Sequence, residues 1–174
     1  MSGGVDGGPA PIIVSALFGD RDFAWLDGLR RAHFPPERNV LPAHLTLFHH
    51  LPPSVEHELR ALLAQAARAP APPARVTGVM SLGRGVAFRI DSPELAAIRV
   101  LLADHFAGLL TPQDATPWRP HLTVQNKVTP EAARALLAEL SAGFQPRPLA
   151  IAGLACWWYR GGPWELIARY SFRG

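Results

Sequence analysis

The chain has 174 residues, 48% hydrophobic and 18% charged, which fits one globular domain and excludes intrinsic disorder as the main state. Its apolar runs, such as Pro11–Phe18, fall far short of the roughly 18 residues a membrane-spanning helix needs. Lys plus Arg is 17 against 14 for Asp plus Glu, a net charge of +3 that suits an anionic partner but is mild for this length.

Lys127 is the only lysine, an arginine bias that codon usage in a GC-rich genome accounts for, and no basic run occurs. Any anion site must therefore be built by folding. The single cysteine, Cys156, excludes an internal disulfide framework and a cysteine-based zinc site. Residues 1–10 are glycine-rich and carry no basic start followed by an apolar stretch. They read as a flexible tail rather than a secretory signal, which makes the cytoplasm the expected compartment.

Pro11–Phe18 reads as the first strand, and Asp20–Phe34 as a helix with apolar residues Phe23, Leu26, Leu29 and Phe34 at near-helical intervals. After a loop, His44–Leu51 (HLTLFHHL) is a second strand, stopped by Pro52-Pro53-Ser54. A helix comes next, with Val55, Leu59, Leu62, Leu63 and Ala66 on one face. Ala69–Ala74 is too proline-rich for regular structure. Arg75–Leu82 and Gly85–Asp91 read as strands around the turn Gly83-Arg84. Ser92-Pro93-Glu94 and Thr129-Pro130-Glu131 each open a helix, with a capping hydroxyl, proline at the first position and an acid at the positive end of the dipole. Between them lie a loop over Thr111–Pro120 and a strand over His121–Val128 (HLTVQNKV). Leu149–Tyr159 and Trp164–Phe172 close the chain as a hairpin.

The order strand, helix, strand with His-Leu-Thr, helix, strand occurs twice. The two histidines, His44 and His121, stand 77 residues apart, close to half the chain. An internal duplication with a pseudo-twofold axis is the simplest account. The expected fold is α+β: residues 11–174 form one bilobal duplicated domain, two antiparallel sheets facing a central cleft with helices on the outside. Alternate residues of a strand share a face, so His44, Thr46, Phe48 and His50 are expected together, opposite Leu45, Leu47, His49 and Leu51. In the second copy His121, Thr123, Gln125 and Lys127 are expected together.

Two imidazoles facing one space suit displacement at phosphorus. Near neutrality one ring can be free base while the other is protonated. One takes a proton from the attacking oxygen and the other gives one to the leaving oxygen. The threonine hydroxyls can donate to the non-bridging oxygens where charge develops. No metal is required by this chemistry.

His44-Leu45-Thr46-Leu47 and His121-Leu122-Thr123-Val124 resemble the paired H-x-T-x motifs of the 2H phosphoesterases, in particular the bacterial 2′-5′ RNA ligase and RNA 2′,3′-cyclic phosphodiesterase branch. The resemblance covers nearly the whole chain and includes Phe48 and Leu51 after the first motif and Pro120 before the second. It implies a metal-independent phosphoesterase without cofactor, opening 2′,3′-cyclic phosphates at RNA ends or on small nucleotides, with 2′-5′ ligation as the reverse reaction. It implies His44 and His121 as the catalytic pair, and Thr46 and Thr123 as phosphate contacts. The first motif continues His49-His50-Leu51-Pro52 where the family commonly has glycine, and the second continues Gln125-Asn126-Lys127 where relatives often have arginine. The anion contact then falls to Lys127, Arg119 or Arg89.

Other roles compete at several positions. Phe48 either stacks a base or lines the cleft wall, and Gln125 is a further substrate-binding candidate. Trp157, Trp158, Tyr159 and Trp164 either form a nucleobase platform or pack the hairpin onto the lobes. His49, His50 and His57 lie near Glu56 and Glu58 in sequence, but without metal-ligand spacing. The expected partners are RNA ends or cyclic nucleotides; no membrane is involved, and nothing demands more than a monomer. The rival to the enzyme is an RNA- or nucleotide-binding module of the same fold that does not turn over.

Overall fold

The computed structural model describes residues 9–173, so most of the tail expected over residues 1–10 lies outside the described residues. Within that stretch, Ala10 is buried. The elements in order are β1 (Ile12–Phe18), α1 (Asp20–His33), β2 (Leu45–Leu51), a 3₁₀ turn (Pro53–Val55), α2 (Glu56–Ala66), β3 (Ala74–Ser81), β4 (Val86–Asp91), α3 (Pro93–His105), α4 (Pro112–Ala115), β5 (His121–Gln125), α5 (Pro130–Ala142), β6 (Arg147–Leu149), β7 (Ile151–Trp158) and β8 (Glu165–Ser171). The capping hydroxyls work as expected: Ser92 and Thr129 accept from the backbone N–H three residues on. Thr111 does the same for α4, inside the stretch read as loop.

The described strands form two antiparallel four-stranded sheets, ordered β2-β1-β7-β8 and β5-β4-β3-β6. The α+β duplicated architecture is therefore present, but the halves of the sequence are not the halves in space. β3, the last strand of the first repeat, crosses to the second sheet and pairs with β4. The C-terminal hairpin returns to the first sheet, where β7 pairs with β1.

Helices are exchanged as well. α1 comes after β1 of the first sheet, yet its Trp25 packs on Phe88 of β4, ring centroids 5.3 Å apart. α3 comes after β4 of the second sheet, yet its His105 meets Glu58 of α2, which packs on β7 and β8. Each exchanged helix carries one buried arginine. Arg30 of α1 donates to the carbonyl of Thr123 on β5 at 3.0 Å and to Asn39 Oδ1 at 3.2 Å. Arg99 of α3 donates to the carbonyl of Leu47 on β2 at 3.1 Å and to the carbonyl of Asp114 at 2.7 Å. Their guanidiniums also lie over aromatic rings, Arg30 over Phe34 at 4.4 Å and Arg99 over Phe48 at 4.3 Å. Burial lowers both pKa values, offset for Arg30 by Asp27 and for Arg99 by Asp114. Each arginine thus clamps a motif strand of the opposite sheet.

One continuous apolar core joins both sheets to the helices, from Ile12, Val14 and Leu45 to Phe88, Leu95 and Leu122. No helix among the described residues is long and apolar enough to cross a membrane.

Replacing Arg99 with Met keeps the apolar stem but strips two buried carbonyls of a charged donor. We expect the free energy of unfolding in urea to fall by about 2–4 kcal/mol. A fall below about 0.5 kcal/mol, the range of ordinary surface substitutions, would mean that the clamp is dispensable.

Candidate active site

His44 stands just before β2 and His121 is the first residue of β5. Their settings match. His44 Nδ1 is 2.8 Å from the carbonyl of Pro42, two residues earlier. His121 Nδ1 is 2.9 Å from the carbonyl of Arg119, also two residues earlier. A carbonyl only accepts, so Nδ1 carries the proton in both rings and Nε2 is left for external chemistry. His44, His121, Thr46 and Thr123 line one cavity of about 620 Å³. Its wall also includes His49, Asp114, Trp118, Arg119 and Trp164.

His44 is half-buried, its ring 4.7 Å from that of Trp164 at 59°. Burial pulls its pKa down to about 4, against the Pro42 carbonyl, which raises it; the charges of Arg30, His49 and His121 push it down further. His44 is therefore a free base at neutral pH.

Strict alternation fails after each motif, in the same way. Ser15 pairs with Thr46 and Val14 with Phe48, so Leu47 is an extra residue in β2. Ala87 pairs with Thr123 and Val86 with Gln125, so Val124 is an extra residue in β5. A bulge of one residue reverses which face the subsequent side chains take. Phe48 consequently turns inward, fully buried under Arg99, and has no face left for a base. Gln125 likewise turns inward and is buried. It sits where Gly85 lacks a side chain that would strike its carbonyl. Lys127 lies beyond the end of β5, exposed, with left-handed backbone (φ 61°). These three do not line the cavity; Arg119 does. Arg89 is exposed and pairs in register with His121.

The same bulge turns His49 into the cleft, where alternation had put it on the opposite face. Asp114, with its side chain fully buried, holds it there. The carboxylate accepts from the backbone N–H groups of His49 and His50, at 2.9 Å each, and lies 3.2 Å from His49 Nδ1. Burial pushes the Asp114 carboxyl up, but these bonds outweigh it and hold the pKa below its ordinary value. Trp118 ties the second motif's approach to the first by donating from its indole N–H to the carbonyl of Thr46 at 3.0 Å. Sequence reasoning missed His49, Asp114 and Trp118. The signal available was Thr111-Pro112, which repeats the helix-opening pattern of Ser92-Pro93 and Thr129-Pro130 and so marks the turn that carries Asp114. Among the described residues no group of three His, Cys, Asp or Glu side chains could hold a metal ion.

The family model of the 2′-5′ RNA ligase superfamily matches residues 18–163. The chain belongs to that superfamily. It thereby falls among the 2H phosphoesterases, a superfamily of phosphoesterases and ligases. No curated protein sequence matches the chain. Among solved structures, TT0787 of Thermus thermophilus is similar at 18% identity and TM-score 0.58, over 94% of this chain and 98% of that one. E. coli LigT complexed with NADP+ is similar at 17% identity and TM-score 0.60, over 95% and 99%. A third structure, described as a phosphoesterase, is similar at 19% identity and TM-score 0.55, over 96% and 100%. At these identities the likeness is one of fold: the superfamily's two-sheet frame is retained nearly end to end while most side chains have changed.

His44 should titrate with a midpoint near 4 in long-range ¹H–¹⁵N spectra, with the proton of the neutral form on Nδ1. The unfolded ring titrates near 6.5, so between these values the unfolded chain binds more protons and stability falls as pH drops from about 6.5 to about 4. His44→Asn should flatten that segment of the stability curve; an unchanged slope would place the titration elsewhere.

Proposed function

We propose that the protein is a metal-independent phosphodiesterase that hydrolyses 2′,3′-cyclic phosphates at RNA ends or on nucleotides, with 2′-5′ ligation as its reverse. The observation that carries this is the matched pair of imidazoles, each with Nδ1 anchored on the carbonyl two residues back, facing one cavity with the two motif threonines. Crystal structures of E. coli LigT with 3′-AMP and with phosphate support a nucleotide substrate.

In the hydrolytic direction His44 Nε2 accepts the proton of a water as its oxygen attacks phosphorus. His121, as imidazolium, donates from Nε2 to the departing ribose oxygen, and the ring opens to a phosphomonoester. The low pKa of His44 supports the base role for it, which leaves the acid role to His121. An anionic phosphate in the cleft opposes the cations that depress His44 and raises its basicity when substrate is bound. Thr46 and Thr123 donate to the non-bridging oxygens, and Arg119 at the cavity wall adds positive charge. His49, locked at the cavity wall by Asp114, acts as a positioning residue. Phe48, Gln125 and Lys127, outside the cavity, take no direct part.

With a cyclic-phosphate-ended oligonucleotide in excess chelator, we expect turnover. His44→Ala and His121→Ala should each lower kcat by about 10²–10⁴-fold with binding retained. Full activity in either variant removes that histidine from the mechanism, and binding without turnover in the parent protein favours the non-catalytic module. The acid limb of kcat/KM should lie near 4, and that of kcat higher, because substrate raises the base's pKa.

His49→Gln and Asp114→Asn should each reduce kcat/KM by about tenfold, and the double variant by little more, since residues acting as one unit are not additive. Fully additive losses would separate the two residues.

A further inference from the structure

The two motif histidines are anchored alike but covered differently. Strand order makes β8 the counterpart of β6, since each is the edge strand opposite the motif strand of its sheet. β8 runs for seven residues and β6 for three. The chain enters β8 through residues 159–164, which bring Trp164 against His44, ring centroids 4.7 Å apart at 59°. It enters β6 through residues 143–146, whose aromatic, Phe144, lies on Phe88 at 6.3 Å instead. Among the described residues no aromatic ring contacts His121, which is exposed, whereas His44 and Trp164 are both half-buried.

Trp164 is held in place from several directions. At the start of its loop the backbone N–H of Tyr159 donates to the carbonyl of Pro11 at 2.9 Å. At the end, Arg160 Nε donates to Glu165 Oε2 at 3.1 Å, and Gly161 turns the chain between them with a φ of 87°. The Trp164 ring also stands 6.1 Å from that of Trp157, whose indole N–H donates to Ser15 Oγ at 2.9 Å. Ser15 in turn pairs with Thr46, in the same motif as His44. An indole packed against an imidazole takes the place of water that would solvate the charged ring, and so favours the neutral form. Burial is indeed the largest influence on His44, ahead of the charges of Arg30 from α1, His49 from β2 and His121 from β5. The cavities that His44 borders also carry Arg99, Asp114 and Arg119 on one side and Asp20 and Arg169 on the other. A change at Trp164 alone leaves all of these charges in the chain and alters the cover of the ring.

We propose that Trp164 is a positioning residue for His44: its indole keeps water off that ring and so makes the histidine of the first sheet, rather than its twin in the second, the standing base. What the base does rests on the phosphodiesterase reading above; the cover itself does not.

Two measurements test this: the His44 titration in the substrate-free protein, by long-range ¹H–¹⁵N spectra, and the pH dependence of turnover on a cyclic-phosphate-ended oligonucleotide. Trp164→Ala should raise the His44 midpoint from about 4 by at least about one pH unit, toward the 6.5 of a solvated ring. The acid limb of kcat/KM should move up by the same interval. Trp164→Phe keeps an aromatic cover and should hold both within about half a unit. Where Trp164→Ala fails to fold, Trp164→Gln, which fills more of the space but admits water, takes its place. A folded variant whose His44 midpoint stays put overturns the proposal. So does an equal movement of the His121 curve, because no ring contact ties Trp164 to that histidine. If the His44 midpoint moves but the parent protein does not turn over the oligonucleotide, the phosphodiesterase reading fails and the cover stands. If the parent turns over and the midpoint moves while the acid limb does not, His44 is not the base and the proposal fails.

Discussion

Two buried guanidiniums hold the molecule in register. Arg30 and Arg99 sit on helices that leave one sheet and pack on the other, and each donates to a backbone carbonyl in or beside the opposite motif's threonine. A buried cation is tolerated only where its donors are satisfied and aromatic faces or carboxylates stand near. Here the acceptors are the motif strands themselves. Moving either strand would leave a dry charge and dry carbonyls together, so the placement of His44 relative to His121 is tied to charged hydrogen bonds inside the core. Arg30 does more: its charge also helps keep His44 deprotonated. Fold and chemistry are coupled through one side chain.

The paired bulges are the second constraint. By adding one residue after His-x-Thr in each strand, they let the imidazole and hydroxyl face the cavity while the next alternating residue, Phe48 or Gln125, turns into the core. The motif is thereby confined to three residues, and the positions after it are free to diverge. In the first strand that freedom brings His49 into the cleft under the control of Asp114. In the second it leads to the left-handed turn at Lys127. The halves therefore correspond through the histidines, the threonines and the bulges, and diverge beyond Phe48 and Gln125.

Much of this architecture is legible in local patterns. Period-two and period-3.6 spacing, Ser/Thr-Pro-acid helix openings and the duplicated His-Leu-Thr locate the main elements, the duplication and the four residues His44, Thr46, His121 and Thr123, because each is a short-range property of the backbone. Side-chain alternation carries the reading through those residues and fails one step later, since a bulge is set by the partner strand: Val14 and Val86 decide the faces of Phe48 and Gln125. The four-residue helix bearing Asp114 is too short for a periodic signal, although Thr111-Pro112 marks its start.

The inventory of the candidate site can be read along the chain: which histidines and threonines the paired motifs supply, in which kinds of element, and twice over. How the halves interlock, with β3 and the exchanged helices crossing between sheets, and which neighbours surround each imidazole, emerge only once the chain is folded. Strand exchange and bulges arise from contacts between residues dozens of positions apart, and the depressed pKa of His44 from its burial in the folded chain. Such contacts are chosen by the packing of the whole core, and no local spacing encodes them.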